Sequence, residues 1–157
     1  MHDLMVILPL ILVGAGAILL MLLASFESLS KEALSIVTMG IYAFAFFVQL
    51  AVTNSGDILP FNNLFNGMMV ANTFTKVAGL IILACGFFST LMAQTYFTQN
   101  KGFVLEFYCM MLFGVCGMLL LTLSAELITA FISIEIMSLA IYTLCLLYTS
   151  PSPRDAT

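Results

Sequence analysis

The sequence predicts an all-α protein, a polytopic transmembrane bundle of about five helices. Two observations carry that prediction. Of 157 residues, 62% are hydrophobic and only 8% are charged, and the mean hydropathy is +1.17, whereas a water-solvated domain needs far more polar residues on its surface. The apolar residues also fall in unbroken runs long enough to cross a hydrocarbon core about 30 Å thick at about 1.5 Å of rise per residue.

The first run, residues 4–24, contains no charged residue. A cleaved signal peptide would need a basic start and a shorter apolar stretch. Here the N-terminus carries His2 and Asp3 and neither lysine nor arginine, so a retained helix is expected. Pro9 falls near the start of that run, where a missing N–H is tolerated. A polar turn with Glu27, Lys31 and Glu32 separates it from the second run, residues 33–52.

The longest connection, residues 53–76, holds the turn formers Asn54, Ser55, Gly56, Asp57 and Pro60. Its middle, residues 59–70, is amphipathic and aromatic, and is expected to lie along the membrane interface. The third run covers residues 77–97. A loop with Asn100, Lys101 and Gly102 leads to the fourth run, residues 107–123, in which Gly114 and Gly117 permit close helix contact. A tight turn over residues 122–126 follows, with Ser124 as the expected N-cap and Glu126 at the positive end of the next helix. The fifth run is residues 127–148.

Lysine placement orients the bundle. Lys31 and Lys101 occupy connections on one side, and Lys76 alone borders the other. Basic residues stay cytoplasmic, so the N-terminus is expected on the outer side. Lys76, at the mouth of the third helix, is expected to reach for the interface.

Composition excludes several function classes. A net charge of −4 spread along the chain offers no footprint for nucleic acid. Cys85, Cys109, Cys116 and Cys145 lie in apolar runs without CxxC spacing or a nearby histidine, and read as small polarizable packing residues. The single histidine, His2, reads as incidental. No phosphate loop, dinucleotide fingerprint or nucleophile-with-base arrangement is visible.

One residue violates the apolar pattern. Glu135 sits eight residues past Leu127, roughly 12 Å into the hydrocarbon at helical rise. An ionised carboxylate there costs several kcal/mol, so it must face protein or water and hold a partner or a proton. Ser138 and Tyr142, three and seven residues on, share its face and are expected to hydrogen-bond to it. Two roles fit: a proton relay, or a protonated residue gluing helices together. Glu126 and Glu106, by contrast, read as solvated acids at helix starts.

The stretch EFYCMMLFGVCGMLLLTLSAELITAFISIEIMSLAIY, residues 106–142, resembles the subunit N family of NADH–quinone oxidoreductase, respiratory complex I. The pattern is EFY, an apolar span with Gly-Met, a Ser-x-acid-Leu turn, and a helix with acid-x-x-Ser-Leu-x-x-Tyr spacing. FNGMMVANTF, residues 65–74, is similar to the same family's approach to its third helix. Residues 60–144 carry the likeness, and the first two helices share only hydropathy.

The resemblance implies the N-terminal part of an antiporter-like fold of about fourteen helices, in a membrane-arm subunit that translocates protons. By position Glu135 matches the family's proton-path glutamate, whose lysine partner lies on a later helix beyond residue 157. NADH, FMN, iron–sulfur clusters and quinone belong to other subunits, so no cofactor or metal site is expected here. The implied partners are other membrane-arm subunits and the lipid bilayer, and the implied location is a bacterial inner (plasma) membrane. A subunit of a multisubunit sodium/proton antiporter or of a hydrogenase-linked complex would share the glutamate. A small membrane scaffold protein is the alternative of another class.

The family would continue with membrane helices after residue 144, but this chain ends in CLLYTSPSPRDAT. Residues 145–155 are what a transposase-based sequencing adapter encodes in one frame. Residues 145–157 are therefore expected to be an artefactual tail on a truncated gene, and the fragment alone is expected to be inactive.

Overall fold

A computed structural model describes residues 2–24, 31–54, 62–64, 67–99 and 104–149. Loop residues 25–30 and 100–103, which include Lys101, and residues 150–157 of the tail lie outside this set. The chain runs α1 (His2–Ala24), α2 (Lys31–Asn54), β1 (Asn62–Leu64), β2 (Met69–Ala71), α3 (Thr73–Gln99), α4 (Val104–Leu123) and α5 (Leu127–Thr149). All five helices are long and apolar enough to cross a membrane. Helices satisfy every backbone donor and acceptor internally, which hydrocarbon demands.

α4 is the hub. It packs on α1, α2, α3 and α5, and it supplies Val104, Tyr108, Cys109, Leu112, Val115 and Leu119 to the main core. Val13, Ala17 and Leu20 of α1, Leu34, Tyr42 and Ala45 of α2, and Leu83 and Ala93 of α3 complete that core, to which α5 adds nothing. Small residues set the close approaches. A Cβ on Gly86 would lie 2.9 Å from the Tyr42 ring, and one on Gly14 3.4 Å from the Cys116 sulfur. Cys116 thus packs as the small residue its surroundings suggest.

Two local expectations are corrected and one gains detail. Pro9 is interior to α1, eighth in the helix and fully buried, instead of sitting in its first turn. The segment expected to lie along the interface contains, in its described part, a short antiparallel hairpin, pairing Asn62 with Ala71, Asn63 with Val70 and Leu64 with Met69. Gly67 in its turn has φ +92°, a conformation that favours glycine. The hairpin pins the α4–α5 turn, since the Ala125 N–H donates to the Met68 carbonyl at 3.0 Å and Met69 bridges Ser124.

Ser124, third, closes α4 and does not cap α5. Its hydroxyl donates to the Leu121 carbonyl at 2.7 Å, filling one of the acceptors a helix leaves open at its C-terminus. α3 has the cap that sequence reasoning missed. The Asn72 N–H donates to the Thr75 hydroxyl at 2.9 Å, and that hydroxyl donates to the Asn72 carbonyl at 2.7 Å. This reciprocal cap starts α3 at Thr73, four residues before the apolar run begins.

Candidate functional site

α5 carries the carboxylate, and its position follows from how α5 meets α4. The seam is built from small groups. Ser133 and Ala140 are buried, and a Cβ on Gly117 would stand 2.9 Å from the Met137 nitrogen and 3.0 Å from the Ser133 carbonyl oxygen. Main chain therefore lies against main chain, as small-residue membrane interfaces allow. The Ser133 hydroxyl donates to the Thr129 carbonyl at 2.6 Å, so no polar group is stranded in the seam. Gly114 and Gly117 announced this contact in the sequence. Ser133 and Ala140 did not.

Residue 135 is two positions from 133, about 200° around the helix, so Glu135 faces away from α4. It is exposed, on a face it shares with Phe131, Leu139 and Tyr142, which are 63%, 60% and 68% exposed. The site is thus a carboxylate in the middle of an apolar helix face that no described residue of this chain covers. Ser138 behaves differently from expectation: its hydroxyl donates to the Glu135 backbone carbonyl at 3.1 Å, and not to the carboxylate. A serine three residues on is well placed to bond back into its own helix. Tyr142 shares the face of Glu135, as the spacing predicted.

Of the other acids, Glu106 and Glu126 lie at helix ends. Glu106 is in the first turn of α4 and exposed. Glu126 immediately precedes α5, is exposed, and its carbonyl accepts the Ala130 N–H at 3.0 Å. The four cysteines are spread over α3, α4 and α5, and none is in a disulfide. Among the described residues no three His, Cys, Asp or Glu side chains gather as a metal site.

Lys76 lies half-buried in the first turns of α3. Its ammonium donates to the Val52 carbonyl at 3.4 Å, one of the acceptors left open at the end of α2. Gln49 returns the contact, donating from Nε2 to the Lys76 carbonyl at 3.1 Å. Gly79 leaves room for that amide, for its Cβ would be 2.9 Å away. Gln49, buried in a long apolar run, was missed in the sequence although a polar amide there is a signal in itself.

No family model matches the chain. Individual relatives do. The chain is 34% identical over 97 residues to NADH-quinone oxidoreductase subunit N of Neisseria gonorrhoeae, covering 62% of this chain and 19% of that protein. It is 27% identical over 144 residues to subunit N of Protochlamydia amoebophila, covering 91% of this chain and 29% of the relative. With subunit N of Leptospira biflexa it shares 29% over 147 residues, 91% of this chain and 30% of the relative. The matched segments span between 19% and 30% of the length of these curated relatives. Five membrane-length helices and similarity over nine-tenths of the chain agree with the likeness carried by residues 60–144, and the family this chain resembles is subunit N of NADH-quinone oxidoreductase.

Proposed function

We propose that this chain is the N-terminal helical part of a membrane-arm subunit of NADH–quinone oxidoreductase, and that Glu135 relays protons in it. The observation that supports this most is the placement of Glu135. The carboxyl sits mid-helix, on the α5 face turned away from the bundle of this chain. A carboxylate facing lipid at that depth costs several kcal/mol. A face of this kind suits further helices of the same protein, with a cation or water against the carboxyl. In such a setting the carboxyl exchanges its proton as the neighbouring charge changes.

Electron transfer from NADH to quinone would take place in other subunits, with their flavin and iron–sulfur clusters, and this chain would contribute to proton movement. Its partners would be the adjoining membrane-arm subunits. The N-terminus would lie on the outer side of a bacterial inner membrane, with Lys31 and Lys101 in the cytoplasm. Residues 145–157 would be foreign to the family sequence. Long reads through codon 144 of the source gene should then show a frame continuing for several hundred codons, and a stop after Thr157 would remove this part of the proposal.

The decisive test is Glu135→Gln in the full-length protein assembled in its complex. Glutamine keeps the size and the hydrogen bonding but cannot titrate. Proton translocation per NADH oxidised should collapse while assembly persists, and Glu135→Asp should retain part of it. Unchanged pumping with Glu135→Gln would leave Glu135 as a helix-joining residue. Restoration of sodium tolerance, with no NADH-driven pumping in a strain lacking its own subunit, would favour a sodium/proton antiporter subunit.

A further inference from the structure

A second polar feature lies at the hairpin end of the bundle, on residues other than Glu135. There α1, α2, α3 and α4 line a partly open cavity of about 20 Å³, with Pro9, Gln49, Thr75, Lys76 and Thr122 among apolar side chains. A single internal water needs roughly 10–15 Å³ and two to four polar partners. The space suffices for one, and the partners are present.

The Lys76 ammonium has three donors and uses one on the Val52 carbonyl. The Thr122 hydroxyl donates to the Leu119 carbonyl at 2.8 Å, which leaves its oxygen able to accept. Gln49 commits its Nε2 to the Lys76 carbonyl, and its amide oxygen remains an acceptor.

We propose that this cavity is a water site, in which one water molecule links the Lys76 ammonium to Thr122 of α4 and to the Gln49 amide oxygen of α2. The site joins all four helices of the main core at one end, and it uses neither Glu135 nor the uncovered face of α5.

Hydroxyl-radical footprinting with synchrotron X-rays tests this on the full-length protein in lipid nanodiscs, since radicals generated from a bound water oxidise the side chains around it. Leu119 and Leu123 line the cavity and are buried. They should be oxidised several-fold faster than Leu112, which is fully buried in the core. Lys76→Met and Thr122→Val should bring them down to the level of Leu112, and Thr122→Ser, which keeps the hydroxyl, should restore the labelling. Oxidation of Leu119 and Leu123 no faster than Leu112 overturns the proposal, and so does labelling that neither Lys76→Met nor Thr122→Val changes.

Discussion

α4 and α5 are neighbouring helices of nearly equal hydropathy, 2.1 and 2.0 over their spans, yet 39% of the α4 span is buried and only 11% of the α5 span. α4 touches every other helix, whereas α5 packs mainly on α4 and leaves the face with Phe131, Glu135, Leu139 and Tyr142 uncovered. Apolarity therefore says that a helix is stable in lipid and nothing about how many neighbours it has. The polar residues differ in the same way. Several in the α1–α4 core bond back to their own helices or across to the next, as Thr38 does to Leu34 at 2.8 Å and Thr90 to Phe87 at 2.7 Å. Glu135 has its carboxyl on the open side.

The sharpest way to break this contrast is functional. Glu135→Gln should cut proton translocation in the assembled complex by about 100-fold, the scale of losing a positioned proton-transfer group. Glu106→Gln, at an exposed helix start, should leave it nearly unchanged. Vesicle pH-dye assays compare the two, and equal effects would end the special standing of the α5 face.

Packing gives the next largest difference. Leu112→Ala removes a fully buried side chain from the hub and should cost about 2–5 kcal/mol. Leu139→Ala, on the uncovered face, should cost under about 0.5 kcal/mol in this 157-residue chain. In the full-length protein the same change should cost clearly more if further helices cover α5. Unfolding titrations from mild detergent into SDS measure all three, and an equal cost of Leu139→Ala in both chains would mean that the face stays in lipid.

The seam itself comes third. Gly117→Ala places a methyl group against α5 main chain, which cannot swing aside as a side chain would. It should cost about 1–3 kcal/mol in the same titration, while Gly40→Ala, whose Cβ would meet nothing within 4 Å, should be neutral or stabilising. The smallest effect concerns Tyr42. Its hydroxyl is the buried side-chain polar atom without a partner among the described residues. Tyr42→Phe should therefore be neutral or stabilise by up to about 1 kcal/mol, because it removes a group whose desolvation nothing offsets. A clear destabilisation would reveal a partner for that hydroxyl.

Much of the fold was legible in the residues. The five runs became five helices, with most boundaries within two or three residues, and α3 departing most because Asn72 and Thr75 cap it early. Glu135 stood out because a carboxylate in a long apolar run has no inexpensive explanation. The hairpin was missed because residues 59–70 mix aromatic and polar types without a clear period. Its one sharp sign was Gly67, whose need for positive φ appears only once the turn is seen.

By itself, then, the sequence determined that this chain crosses a membrane about five times, where the spans lie, and that one of them carries an acid. Backbone groups must be satisfied internally in hydrocarbon, so a long apolar run has a single outcome. Only the tertiary structure decided which face of each helix turns inward. Lipid is as apolar as a helix–helix interface, so burial leaves no amphipathic trace to read. Main chain against main chain at Gly117, the Gln49–Lys76 clasp and the outward turn of Glu135 depend on close packing and helix rotation, which only the assembled helices set.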